Sequence, residues 1–509
     1  MSQSSHPAGI SPPRSNAKHR HNHKRLERLP LGERTDELLP RVQVYYTRLC
    51  ALPRRTRRAL VRQWRRSLSA IALLLALGQA PALAATIAVA PGIPPDINAD
   101  GICALIEAID NANADAQTHS DCVAGEGADT IKLPTGSTQS LTAVDNTSLG
   151  PTGLPVISST VTIRGRNSTI RRESDALEFR ILAVASSGDL TLHRTTVSGG
   201  VNGYSYLYPN GGGGVYNSGM LTLTKSTVSG NSAFFGGGGV SNSGTTTLMN
   251  STVSGNFGDY GAGGVDNTGN LTLTNSTVSG NRINYVADGG GVSNSGTLTL
   301  TNSTVSGNSG TGGGGVFNSG ALTLTNSTVS GNSLPGFCGR CSNTGGGVFN
   351  IGTLTLTNST VSGNSVVFPG AGGGVYNSGT LTLARTLISG NNYSFYSGGS
   401  SEVEGGGTIV ANNYNLFGHD GDAGVVGFSP GLTDIVPNVP LSAILNTTLA
   451  NNGGPTRTHA LVRGSPAIDA SPDDADCAAT DQRGVRRPRG PACDIGAFEA
   501  RKRQRHRFW

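Results

Sequence analysis

Between residues 190 and 390 the apolar positions recur with a period of about 25 residues, not along any single helix or long strand. A unit reads Gly-Gly-Gly-Val-x-Asn, then Leu-Thr-Leu-Thr-Asn, then Ser-Thr-Val-Ser-Gly-Asn. The Val of the first element falls at Val215, Val240, Val265, Val292, Val316, Val348 and Val375, in steps of 25, 25, 27, 24, 32 and 27. The Val or Ile of the last element follows in step from Val228 to Ile388, so length varies only between Ser-Gly-Asn and the next glycine run. Within a unit such as Val348 to Asn364, alternation sets Val348, Leu354, Leu356 and Val361 on one side and threonines on the other. That is the pattern of short, half-buried strands, and the Gly, Asn and Ser punctuation leaves no room for a helix.

One unit cannot bury four aliphatics, each worth ~1.5–3 kcal/mol when fully buried. Stacked in parallel, the units share a continuous core. The pattern therefore predicts an all-β chain, a right-handed parallel β-helix. The Asn at Asn217, Asn242, Asn267, Asn294, Asn318, Asn350 and Asn377 keeps phase with the core. At a strand spacing of ~4.8 Å such amides can bond to the coils above and below. Asn-Ser-Thr at Asn250, Asn275, Asn302, Asn326 and Asn358 matches a glycosylation sequon, but its phase with the coil marks it as architecture. Propeller blades need longer units, and calcium-binding nonapeptide rolls need Asp after the glycines; neither pattern is present. Weaker coils near Val161–Ile163, Ile181–Val184, Leu190–Gly199 and Thr408–Val410 bring the expected total to about eleven, a stack of roughly 50 Å.

Charge changes the picture only at the start of the chain. The 509 residues carry a net +6. Residues 1–84 hold 16 Lys and Arg against 4 Asp and Glu, which leaves 22 against 28 for the remainder. Nucleic acid is therefore not an expected partner. Residues 1–60 are a basic leader, read as an extended signal region or a start site placed too early. Residues 61–84 read as a secretory signal peptide: Arg62, Arg65 and Arg66, the apolar run Ile71–Leu77, and small residues at a cleavage site after Ala84. That run is too short to remain as a membrane-spanning helix. Cys50 leaves with the leader. The six remaining cysteines cluster in sequence as Cys103/Cys122, Cys338/Cys341 and Cys477/Cys493, an expected set of three disulfides in an exported chain. Cys338-Gly-Arg-Cys341 also has a redox or zinc spacing, but lacks a neighbouring pair or histidine.

The flanks carry family resemblances. Cys103 to Asn113 has helical periodicity and leads through Cys122 to Asp129-Thr-Ile-Lys-Leu-Pro134. This resembles the CSLREA domain of secreted bacterial β-helix proteins and implies an N-terminal helical cap over residues 85–135. Asn452-Gly-Gly-Pro-Thr-Arg-Thr-His-Ala460, Gly464-Ser-Pro-Ala-Ile-Asp469, Asp481-Gln-Arg-Gly484, Arg487-Pro488 and Cys493 to Glu499 resemble the choice-of-anchor Q domain. That implies a loop-rich C-terminal cap over residues 426–500, behind repeats at 136–425. The repeats also resemble the glycine-rich repeats of polymorphic outer-membrane proteins. These resemblances imply a cell-surface or secreted setting and no reaction. The basic tail 501–509 has neither an apolar segment nor a sorting motif, so release is expected rather than anchoring.

Three sets of side chains carry candidate chemistry. Asp96, Asn98, Asp100 and Glu107 fit the spacing of a calcium loop, D-x-N-x-D-G-x5-E; the competing account is an Asp/Asn/Gly turn before the cap helix, with Glu107 part of the CSLREA-like motif itself. Phe317, Phe349 and Tyr376 occupy one outward position in successive coils and could offer a flat stripe to sugar rings, or simply stack. Parallel β-helices include polysaccharide lyases and glycoside hydrolases on a pectate-lyase-like scaffold, so catalysis is a competing reading. Its members would be Asp259, Asp266, Asp288 and Arg282. Residues 201–400 otherwise hold only Lys225, Arg340 and Arg385 as charged groups, and no His. A lone carboxylate without a tuned partner does not make a site. The expectation is a structural, adhesive or carbohydrate-binding surface protein, with extracellular polysaccharide or a surface protein as partner.

Overall fold

The computed structural model describes residues 84–203, 211–284, 289–334, 344–367, 370–394 and 399–500. The leader, Asp288, Cys338, Cys341 and the tail lie outside them. Those residues form a parallel β-solenoid with one α-helix, α1 (Leu105–Ala114). Each coil turns through three faces. The Val-x-Asn strands, from Leu182–Val184 to Val403–Glu404, make a nine-stranded sheet. The Leu-Thr-Leu and Thr-Val-Ser strands form two arms of a 21-stranded sheet, and short strands such as Ser232–Phe235 and Phe257–Tyr260 close the coil. The large sheet reaches back beyond the repeats through Thr86–Ala88, Asp129–Lys132 and Thr160–Arg172.

The register is like on like. Val215 pairs with Val240, Leu248 with Leu273 and Val278 with Val305, so inward aliphatics form unbroken columns of essentially zero exposure. Between the two arms the chain bends at a residue with positive φ: Asn250, Asn275, Asn302, Asn326 and Asn358 lie at +47° to +52°. Asn tolerates that left-handed region better than other residues with a β-carbon, which explains the sequon-like spacing. Lys225 and Arg385 hold the same corner in their coils, at +51° and +49°.

The expected amide ladder is present. From Asn217 to Asn377, each amide nitrogen donates to the carbonyl oxygen of the next Asn at 2.7–2.8 Å. A second ladder, unforeseen, runs from Asn231 through Asn256, Asn281, Asn308, Asn332 and Asn364 to Asn391 at 2.8–3.0 Å. Each amide donates one N–H forward along the ladder and the other back to a valine carbonyl of the preceding coil. At the C-terminal end the last forward donor meets the buried carboxylate of Glu402, which also accepts the Gly390 N–H at 2.7 Å. An anion is the natural terminus for a row of aligned donors.

At the other end α1 packs Leu105, Ile109 and Ala112 into the core. Cys103 and Cys122 are disulfide-bonded, with Cα atoms 4.6 Å apart, as the sequence clustering predicts. Cys477 and Cys493 are bonded likewise, at 6.3 Å. The C-terminal stretch contains almost no regular structure beyond a 3-10 turn at Leu441–Ala443. It does not simply close the end of the stack. It folds back along the flank, onto the Thr-Val-Ser arm. No helix among the described residues is long and apolar enough to cross a membrane.

Candidate functional site: a hydroxyl track and the groove at its covered end

Alternation around the inward valine of each Thr-Val-Ser strand turns one threonine and one serine outward. In register, these form two hydroxyl columns from Thr196 and Ser198 to Thr360 and Ser362. The C-terminal stretch covers only part of them. Thr304, Thr328 and Thr360 are 1%, 0% and 3% exposed, whereas Thr227, Thr252 and Thr277 are half-buried.

Over the covered hydroxyls the contacts are hydrogen bonds, and one coil further on Leu387 takes the threonine position and packs against Ile444, Ala467 and Ile495. Thr304 donates its hydroxyl to the Arg457 carbonyl at 2.8 Å, and Thr328 donates to Gln482 Oε1 at 2.6 Å. Gln482 Nε2 donates back to Thr304 Oγ1 and to Thr456 Oγ1, both at 2.8 Å. The Ala497 N–H donates to Thr360 Oγ1 at 3.0 Å. His459 lies 2.7 Å from Ser330 Oγ through Nε2 and 2.7 Å from the Asn446 carbonyl through Nδ1. A carbonyl can only accept, so Nδ1 carries the proton and Nε2 accepts from Ser330. Burial holds this imidazole below its ordinary pKa, the main-chain hydrogen bond opposing the shift.

The uncovered hydroxyls of Thr227, Ser229, Thr252, Ser254, Thr277 and Ser279 make no hydrogen bond with the described residues. Where the covering begins, a groove of about 440 Å³ opens between Thr277, Ser279, Thr304 and Ser306 on one wall and the loop Asn451–Arg457 on the other. Five hydroxyl residues, Asn451, Gly454, Pro455 and one arginine line it, with no carboxylate.

The residues singled out from sequence distribute differently. Asp266 lies on the nine-stranded sheet between Ser241 and Ser293 of the adjacent coils. Burial pushes its carboxyl above the ordinary range, the Ser293 hydroxyl partly opposing. Asp259 and Arg282 lie on the third face, where Arg282 pairs with Phe257. A change of sheet separates them from Asp266, and no ion pair joins the three. Phe317, Phe349 and Tyr376 do stack in one column, at 5.3 and 5.5 Å between centroids. Their planes meet at 73° and 76°, the edge-to-face packing that ring quadrupoles favour, so the column is a ladder and not a flat platform.

In the calcium-type loop, Asp96, Asn98 and Asp100 are exposed while Glu107 is 1% exposed. Glu107 accepts the N–H of Ala104 at 2.9 Å and of Asn98 at 3.2 Å, so its carboxylate satisfies the main chain at the start of α1 while the N-cap, an alanine, offers no side-chain acceptor in return. Asp121, outside the motif, accepts the N–H groups of Asp100 and Gly101 at 2.9 Å, and the Gly101 bond holds its carboxyl below the ordinary range. The carboxylates of Asp96, Asp100 and Glu107 do not converge on one point. Among the described residues only Asp473, Cys477 and Cys493 cluster as metal donors would, and those sulfurs are already bonded to each other.

No known protein family matches the chain, and no curated protein does. Among solved structures the chain is similar to pectate lyase Pel9A, at 16% identity over 74% of this chain and 88% of that one, with a TM-score of 0.41. The parallel solenoid rests on the strand pairings themselves and does not lean on that likeness.

Proposed function

We propose that this is an exported, non-catalytic surface protein that holds extended polar chains, polysaccharide foremost, along the free part of its hydroxyl track. The observation that carries the reading is the contrast within one pair of columns. Their C-terminal half already binds a polar, irregular chain through hydroxyl hydrogen bonds, and their N-terminal half presents the same groups unpaired. A chain of sugar hydroxyls and ring oxygens offers the complementary donors and acceptors. The leader's signal-peptide pattern and the CSLREA-like and choice-of-anchor Q-like flanks support an extracellular setting. The separation of Asp266 from Asp259 and Arg282 argues against a hydrolase or lyase built from them.

Retardation of the purified protein in native gels containing plant or microbial polysaccharides tests the proposal. A Thr227→Val, Thr252→Val, Thr277→Val variant keeps the β-branched shape and removes three hydroxyls. At ~0.5–1.5 kcal/mol per lost hydrogen bond it should bind about tenfold more weakly or worse. Binding that is unchanged in that variant, or absent for every polysaccharide, ends the reading. Release of unsaturated sugars absorbing in the ultraviolet would replace it with a lyase.

A further inference from the structure

We infer that the groove at Arg457 is a subsite for a carboxylate-bearing sugar unit, so that the track selects acidic over neutral polysaccharide. This rests on the polysaccharide reading above and adds the identity of the sugar. Three arginines of the C-terminal stretch and its docking face are committed to carboxylates. Arg385 reaches Asp474 at 2.6 Å, Arg483 reaches Asp481 at 2.6 Å, and Arg487 lies 3.6 Å from Glu499. Arg457, like the exposed Arg463, Arg486 and Arg489, has no ion pair among the described residues, but of these it alone lies in the groove wall. Its main-chain carbonyl is fixed by the Thr304 hydroxyl and by Gln482 Nε2 at 3.2 Å, while its side chain is exposed. Its guanidinium has no acceptor and no ion-pair partner among the described residues. The residue is thus anchored by its backbone with its charge free.

The surroundings favour an anion. No Asp or Glu lines the groove, so nothing offsets the positive charge there. The hydroxyls of Thr277, Ser279 and Ser306 are free to accept from or donate to the ring substituents of the same sugar unit. A guanidinium binds a carboxylate through a planar pair of N–H groups and gains far less from a neutral hydroxyl. A volume of about 440 Å³ falls within the range that holds small ligands, and the columns beyond it, at Thr252, Ser254, Thr227 and Ser229, continue the contact for the rest of the chain.

The test compares polygalacturonate with its fully methyl-esterified form, in the presence of a chelator, against the intact protein and two variants. Arg457→Gln removes the charge and keeps the backbone anchor; Thr277→Glu places a carboxylate in the groove from the opposite wall. The parent should prefer the acid form by about tenfold, the preference falling with added salt. Arg457→Gln should lose that preference while binding the methyl ester as the parent does, whereas Thr277→Glu, which also removes a track hydroxyl, should lose the preference and bind both polymers more weakly. An acid preference that survives Arg457→Gln overturns the subsite and leaves the polysaccharide reading standing. Failure of the parent to bind either polymer overturns both.

Discussion

The interior of the coils from Val215 to Asn391 is furnished with neutral groups: aliphatic columns, two asparagine ladders and the Ser226-to-Ser359 row. The buried interior from Asp469 to Glu499 is furnished with charges. There Asp481, at 0% exposure, accepts the N–H groups of Val485 and Glu499 as well as the Arg483 guanidinium. Asp494 accepts from the N–H groups of Asp469 and Ala500, and Arg483 lies 3.5 Å over the Phe498 ring. Both regions must satisfy buried backbone. A coil finds its partners one period away, in the identical residue of the next coil, so a modest neutral amide serves every turn. The C-terminal stretch has no period and no sheet. Each carboxylate there gathers several scattered N–H groups at once, which a point charge with up to four lone-pair directions does well.

The difference predicts where damage stays. Arg487 donates to the carbonyls of Asp494 and Gly496 and sits among Glu499, Asp481 and Asp494. Burial pushes Glu499 and Asp494 above the ordinary carboxyl range, so these acids depend on their remaining partners. Arg487→Met should cost the C-terminal stretch about 3–5 kcal/mol, as expected for a buried charge left uncompensated. Hydrogen exchange should then rise across residues 440–500 while residues 215–377 keep their protection. Loss of protection in both would show that the two regions are one cooperative unit and erase the contrast.

A smaller effect is expected within the ladder. Asn294→Ala leaves the Asn318 side-chain carbonyl without its donor and takes from the Asn267 amide its shortest acceptor, though that amide keeps the Gly269 and Thr297 carbonyls. At ~1–3 kcal/mol per unsatisfied buried group, the loss should be about 1–3 kcal/mol, read from urea unfolding followed by circular dichroism. A neutral result would mean that the ladder is ornament on an aliphatic stack.

Asp266 provides the subtlest test, a charge lodged in the neutral region. Its folded-state pKa is raised, so the native state holds that proton more tightly than the unfolded chain does. Stability from this group is greatest at acid pH and is lost as pH rises through the raised value. Asp266→Asn should therefore melt higher than the parent near neutral pH, with the gap closing as pH falls into the ordinary carboxyl range. A gap that widens on acidification would contradict the burial argument.

The Val, Leu and Asn217-to-Asn377 columns were legible because a stack of identical coils writes each tertiary contact into the sequence as a repeat. The two described disulfides were legible because each closes a short loop. The Asn231-to-Asn391 ladder was equally periodic but went unread, since Ser-Gly-Asn looks like ordinary turn chemistry until its amide is seen to point inward. The aromatic column was foreseen, its edge-to-face tilt was not. Glu107 fits the twelfth place of a calcium loop and also accepts the Ala104 N–H at the start of α1, because both roles call for a carboxylate three residues into the helix.

By itself, then, the sequence determined the coil: its period, its inward residues, its bends at Asn and its parallel register. Only the tertiary structure decided which hydroxyls of the Thr-Val-Ser arm are free and which are covered, and that Gln482, His459 and Arg457 are the residues that meet them. The physical reason is the reach of the contacts. Coil contacts join residues one repeat apart and so leave a periodic trace, whereas Thr328 meets Gln482 across 154 residues, outside the period of the repeat.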